Sequence, residues 1–248
     1  MIPALETLNL VKRFGGFVAT NDVSLSITQG ARHALIGPNG AGKTTLINLL
    51  TGVLAPNGGQ ILLGGEDITA LPAHARVGRG LSRTFQINQL FGDFTPLDSM
   101  MLAIGERKGH GRIAWRPLSA DREVADEAAA LLERFRLADV MATATTLLPY
   151  GKQRLLEIAL AIATRPKVLL LDEPAAGVPE EERHEVLGIV RELPADVTVV
   201  LIEHDMDLVF SFADRISVLV AGALFAEGTV GEISKDAQVK AIYLGEDA

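Results

Sequence analysis

The chain has 248 residues, 48% of them hydrophobic, no cysteine and a formal net charge of −8. A chain of this length can bury about 70% of its unfolded surface and needs no disulfide or structural metal; without cysteine, a disulfide framework and a thiolate metal site are both excluded. The diffuse acidic balance, with no lysine- or arginine-rich face, argues against nucleic acid as a partner. The start, Met1-Ile2-Pro3-Ala4-Leu5-Glu6, has neither the basic residues nor the apolar run of a signal peptide. No stretch approaches the ~20 apolar residues of a membrane span. The mean hydropathy of +0.26 is nonetheless high, so any membrane link is expected to run through a partner.

In chain order, residues 5–28 alternate apolar and polar around Gly15-Gly16, which predicts an antiparallel hairpin. Ala31–Ile36 reads as a buried strand, Thr45–Leu50 as a helix ended by Gly52, and Gly58–Gly65 as a short strand between turns. From about 97 to 163 the pattern is helical. Val124, Ala128, Leu131, Leu132 and Phe135 share one helix face, with Ser119 as N-cap and Asp121 and Glu123 in the first turn. Gly105–Pro117 reads as a loop. Strand and helix alternate again from 167: Val168–Leu171 and Val197–Ile202 as buried parallel strands, 180–193 as a helix, and 215–227 as a hairpin turning at Ala221-Gly222. This predicts an α/β nucleotide-binding core, 1–86 and 164–248, interrupted by a helical insert, 87–163.

Between the strand at 31–36 and the helix at 45–50 stands Gly37-Pro38-Asn39-Gly40-Ala41-Gly42-Lys43-Thr44-Thr45, the phosphate-binding P-loop pattern in its required setting. Glycines let the backbone turn tightly so that successive N–H groups face an anion, and the helix aims its positive end at the same point. Lys43 offers a full charge to the β- and γ-phosphates, and Thr44 a hydroxyl to Mg²⁺. Downstream, Val168-Leu169-Leu170-Leu171 ends in Asp172-Glu173. Asp172 suits Mg²⁺ held through water, and Glu173 suits orienting or deprotonating an attacking water. His204, after the strand at 199–202, can reach a γ-phosphate. Gln86, closing Leu81–Gln86, can ligate Mg²⁺ or sense that phosphate. His33, His74, His110 and His184 have no such setting and read as ordinary residues.

Taken together these motifs resemble the ATP-binding subunit of an ABC transporter, over essentially the whole chain. The resemblance implies an α/β P-loop NTPase fold with an N-terminal antiparallel β subdomain and a helical subdomain. It implies ATP and Mg²⁺ as ligands. Walker A is then 37–45, binding ATP through Gly37, Asn39, Gly40, Ala41, Gly42, Lys43, Thr44 and Thr45. Gln86 is the Q-loop, 168–173 Walker B, and His204 the switch histidine; Phe14 matches the aromatic that stacks on adenine. The family's Leu-Ser-Gly-Gly-Gln signature, used in trans against ATP on the opposing subunit, becomes Leu148-Pro149-Tyr150-Gly151-Lys152 here. Proline offers neither hydroxyl nor N–H, which leaves the helix N-terminus, the Gly151 N–H and Lys152, with Tyr150 beside them. Ala175-Ala176-Gly177-Val178-Pro179 lacks the Ser and Asp usual in the loop after Walker B.

Arg83-Thr84-Phe85-Gln86, the Tyr-Gly signature, Asp172–Gly177, the insert around 105–120 and the ending Ile242-Tyr243-Leu244-Gly245-Glu246 resemble the ATPases of branched-chain amino-acid importers. The implied partners are integral-membrane permease subunits, a second ATPase subunit and a solute-binding protein, at the cytoplasmic face of the membrane. The run Ile87, Leu90, Phe91 and Phe94 is a candidate permease contact. Lipopolysaccharide-export ATPases share the tail and Walker B region, and soluble ABC ATPases and P-loop kinases are the remaining alternatives.

Overall fold

The computed structural model describes residues 2–84, 90–109 and 121–244, residues 243 and 244 by backbone alone. Along the chain, β1 (Leu5–Phe14), β2 (Phe17–Ile27), β3 (Arg32–Ile36), α1 (Lys43–Leu50), β4 (Gly58–Leu63), β5 (Glu66–Asp67), α2 (Ala73–Gly78) and β6 (Leu81–Arg83) precede α3 (Pro96–Arg107), α4 (Arg122–Arg134) and α5 (Tyr150–Ala163). Then come β7 (Val168–Asp172), α6 (Glu180–Arg191), β8 (Thr198–Ile202), α7 (Met206–Phe212), β9 (Arg215–Val220), β10 (Ala223–Thr229), α8 (Val230–Ile233) and α9 (Ala237–Leu244). They form two compact units, one of residues 1–83, 167–173 and 191–248, the other of 84–166 and 174–190.

The first unit holds two sheets. A six-stranded sheet runs β10-β9-β3-β8-β7-β6. Within it β9, β3, β8, β7 and β6 pair in parallel, and β10 is antiparallel to β9. Every residue of β3, β7 and β8 is buried, which is why β7 and β8 read as near-continuous apolar runs rather than alternating ones. The second sheet, β2-β1-β4-β5, is antiparallel, with Leu5 opposite both Ile27 and Leu63. Leu5, Leu10 and Ile27 of this sheet share one core with Leu46, Ile47 and Leu49 of α1 and Leu170 of β7. Each such side chain stabilises the fold by about 1.5–3 kcal/mol relative to exposure.

Two buried arginines hold irregular backbone in this unit. Arg76, 1% exposed, donates to the carbonyls of Leu49 at 2.7 Å and Leu50 at 2.6 Å, at the carboxyl end of α1. A cation there satisfies carbonyls that have no partner within the helix and complements its negative end. Arg32 donates to the carbonyls of Leu193 and, at 2.7 Å, Val197, on the turn entering β8. His33 is buried, with Nε2 2.8 Å from Ser217 Oγ, and burial lowers its pKa to about 4. It is a neutral member of the sheet's interior.

In the second unit α3, α4 and α5 pack on one another. A capping box of Thr95 and Asp98 opens α3, with Pro96 in its first turn. Helix α4 buries Val124, Ala128 and Leu132, and Phe135 at its C-cap is buried too; Leu131 is half-buried. Its N-cap is Asp121, whose side chain accepts from the Val124 N–H at 3.2 Å. The sequence suggests Ser119 as cap with Asp121 inside the first turn; a carboxylate can cap and also complement the helix dipole, and Ser119 lies outside the described residues. The expected loop Gly105–Pro117 begins later than the sequence suggests, because α3 continues to Arg107. There Arg107 bonds the Ala163 carbonyl at 2.7 Å and both oxygens of Glu127 at 2.8 Å; residues 110–117 are not described. Nor is 97–163 helical throughout: between α4 and α5 the chain makes short 3₁₀ turns at Ala138–Val140 and Thr145–Leu147.

Glu127 is the hub that joins these helices. Burial alone would raise its pKa, but hydrogen bonds from Arg107 and Arg165 and their charges outweigh that and hold it at about 2, against an ordinary 4.5. A carboxyl with a depressed folded-state pKa contributes stability above its unfolded pKa and loses it as pH falls through the folded one. Glu127→Gln is therefore expected to lower the thermal midpoint at pH 7, and to shrink the loss of stability that the wild type shows between pH 4.5 and 2. Thermal melts of both forms across that range check it.

Candidate functional site

Strand β3 delivers Ile36 to the turn 37–42, and α1 begins at Lys43. Gly42 is the residue before the helix and has φ +99°; a Cβ there would stand 2.5 Å from the Ala19 carbonyl oxygen, and one on Gly37 would stand 2.2 Å from that of Leu219. Only glycine meets both the conformation and the close approach. Lys43 Nζ donates to the carbonyls of Gly37 and Pro38, which holds the ammonium over the loop. The turn opens into a cavity of about 630 Å³ lined by residues 39–45, Glu173, Phe17-Val18-Ala19 of the first hairpin and Ala221-Gly222 of the last. The start of α1, with Lys43, Thr44 and Thr45, thus borders a space of ligand size, and residues of these types at a helix N-terminus suit a polyphosphate.

Parallel pairing of β7 with β8 puts Asp172 opposite Ile202. Asp172 is 3% exposed, and Arg83 Nη2 donates to its Oδ2 at 2.7 Å while Nη1 donates to Asn48 Oδ1 of α1 at 2.8 Å. Glu173 follows with φ +47°, a left-handed conformation that costs a residue with a side chain about 1–3 kcal/mol. Its N–H bonds the Ile202 carbonyl at 2.9 Å, its side chain is half-buried, and the residue lines the cavity. His204 Nδ1 lies 3.9 Å from Glu173 Oε1, beyond hydrogen-bond reach. The His204 N–H meets the buried Glu203 carboxylate at 3.2 Å.

The remaining candidates fall elsewhere. Phe14 is exposed, with Lys12 Nζ 5.2 Å from its ring centroid. It is not among the residues lining the cavity, where the same hairpin contributes Phe17. Gln86 and Ile87 lie outside the described residues. Phe91 and Phe94 are exposed with ring centroids 5.2 Å apart. Tyr150, Gly151 and Lys152 form the first turn of α5 in the second unit, after Pro149 as a cap without a side-chain bond. Lys152 Nζ is engaged by Asp139 at 2.6 Å. Sequence reasoning missed Arg83, although it stands in the segment singled out for Gln86; an arginine on a short strand announces no partner until the sheet sets β6 beside β7.

The family model of ABC transporters matches residues 20–176. This chain belongs to that family. It is 41% identical to the high-affinity branched-chain amino acid transport ATP-binding protein BraF of Pseudomonas aeruginosa, with 98% of each chain covered. It is 39% identical to LivG, of the same description, from Escherichia coli, again over 98% of each. Among solved structures, the ADP conformation of MJ1267, an ATP-binding cassette of an ABC transporter, superposes with a TM-score of 0.87 at 33% identity, covering 99% of this chain and 100% of that one. The chain has the ABC ATPase fold and is an ATP-hydrolysing subunit of an ABC transporter. Such a subunit associates peripherally with a membrane permease, and among the described residues no helix is long and apolar enough to cross a membrane.

Arg83 and Asp172 are 13% and 5% exposed, so removing one partner strands a buried charge, at a cost of about 3–5 kcal/mol. Arg83→Met is expected to lower the urea unfolding midpoint accordingly, and Asp172→Asn in the same chain to recover part of the loss. Equilibrium unfolding of the two variants beside the wild type measures both effects.

Proposed function

We propose that this chain powers the import of branched-chain amino acids or related polar solutes, from the cytoplasmic face of the cell membrane. The observation that carries the chemical part is the meeting of the P-loop residues 39–45 and Glu173 around one cavity. The solute class rests on the names of the relatives, which favour it over the lipopolysaccharide-export and soluble alternatives. In this reading 1–86 and 164–248 bind nucleotide, and 87–163 is the helical subdomain.

ATP lies along residues 37–45. Lys43 and the N–H groups at the start of α1 neutralise its phosphates, and an aromatic of the first hairpin, Phe14 or Phe17, covers the base. Thr44 and Asp172, with Gln86 from outside the described residues, would hold Mg²⁺. Among the described residues no three His, Asp or Glu side chains converge as a metal cage, and Mg²⁺ asks for none, being held by one or two carboxylates together with phosphates and water. The ion would supply charge neutralisation as the γ-phosphoryl group departs. Glu173 takes a proton from the attacking water as its oxygen bonds to phosphorus and the bond to ADP breaks. His204, close to Glu173, stabilises the γ-phosphate.

Two ATPase subunits sandwich two nucleotides, and the first turn of α5, residues 150–152, faces the nucleotide on the opposing subunit. Integral-membrane permease subunits dock near Gln86 and the exposed Phe91 and Phe94, and a solute-binding protein delivers the solute.

Glu173→Gln is expected to bind ATP as the wild type does and to lose about 10²–10⁴ of the turnover, the share a positioned base contributes. Phosphate release by the assembled complex and nucleotide titration of the same sample test this, and surviving turnover would refute the assignment. Purification from native membranes in mild detergent is expected to bring down hydrophobic permease chains; ribosomal or purely soluble partners would break the transport reading.

A further inference from the structure

Two stretches that depart from the family's usual motifs, the Tyr150 signature and the loop 175–179, meet in the second unit. A Cβ built on Gly177 would stand 2.9 Å from Tyr150 Cε1, 3.0 Å from Cζ and 3.1 Å from the hydroxyl oxygen. The tyrosine ring therefore rests on the bare backbone of Gly177, whose φ of +77° also suits glycine. Both ends of this contact are held. On the loop side, Val178 N–H bonds the Ala175 carbonyl at 3.2 Å and Arg183 Nε bonds the Val178 carbonyl at 3.0 Å. On the helix side, the Arg154 guanidinium lies 5.6 Å from the Tyr150 ring centroid. That guanidinium is fixed by Glu157 at 2.7 Å, the two side chains being 2% and 8% exposed.

We propose that Tyr150 is a positioning residue that ties the first turn of α5 to the loop following Glu173, with Gly177 the site whose lack of a side chain admits the ring. The inference rests on the reading above, in which that turn faces the opposing subunit's ATP. The loop starts at Pro174, one bond from the residue assigned to activate water. A shift of the loop as Glu173 changes partners moves Gly177, and the ring carries the movement to α5. A methyl group at 177 meets the far end of a half-exposed side chain rather than backbone, so the ring swings away and the chain still folds.

The test is a double-mutant cycle in the assembled native complex, reading kcat and KM for ATP. Gly177→Ala is expected to lower kcat about tenfold or more, with KM within about twofold, because this chain's own P-loop is untouched. In a Tyr150→Gly background the same substitution is expected to cost less than about threefold; backbone strain at 177 is common to both backgrounds and cancels in the comparison. Tyr150→Phe keeps the ring and is expected to restore most of the kcat that Tyr150→Gly loses, while thermal melts confirm folding of each variant. A silent Gly177→Ala, or an equal cost in both backgrounds, overturns the proposal. The chain has no cysteine, so Lys152→Cys gives it one maleimide site, read on this subunit's band after labelling of the complex. Failure of ATP to protect it in the complex would defeat the reading of α5; protection together with an additive cycle would defeat the Tyr150 inference and leave that reading standing.

Discussion

The parallel pairing of β3, β8 and β7 is the constraint on which the site depends. Leu35 and Asp172 are both registered to residue Ile202 of the strand between them, so all three strands end at one edge. The chain must leave the sheet there three times. It does so as the P-loop, as Asp172-Glu173 and as Glu203-His204. Each strand is buried at every position, so its backbone groups find partners only within the sheet. A slip of one residue would turn every side chain of a strand to the opposite face, which makes the register, and with it the meeting of these groups, expensive to change.

Electrostatics then works on both ends of α1. Its N-terminal N–H groups and Lys43 gather positive potential toward the cavity, and at its other end the buried Arg76 takes up the carbonyls of Leu49 and Leu50. Arg83 bridges Asn48 of the same helix to Asp172 of β7. The helix that begins at the P-loop is thus fastened at its carboxyl end by a cation that complements its dipole, in addition to the apolar face it buries. Glu173, in a strained conformation beside this arrangement, is kept there by a hydrogen bond to the neighbouring strand rather than by preference of its own backbone.

The helical unit depends on side-chain charge at its joints. Glu127 collects arginines from α3 and from the end of α5, where a purely apolar contact would specify less about which helix end lies beside which. Where the motif sequence is unusual, the packing is unusual as well. Tyr150 replaces a small residue, and the room it needs is left by a glycine 27 positions later, a correspondence that spacing along the chain cannot reveal.

Much of this protein was readable from local pattern. The P-loop announces itself because anion binding by backbone N–H groups demands glycines at set intervals, and Lys43, Thr44 and Asp172-Glu173 follow from the same chemistry. The buried strands show as apolar runs because both faces are covered, and the longer helices show through their periodicity and caps; their bounds shift at Asp121 and Arg107, the short turns at 138–140 and 145–147 break the stretch read as helical, and the short helices α2, α7, α8 and α9 carry too few turns to show a period. What the sequence could not determine are the partners of long, flexible or aromatic side chains: that Arg83 holds Asp172, that Arg76 ends α1, that Phe17 rather than Phe14 lines the cavity, and that Tyr150 lies on Gly177. Local chemistry determines which groups can bind phosphate or move a proton. Only the closing of the sheet and the packing of helices decide which distant groups share a space, because that choice belongs to register and volume rather than to any residue alone.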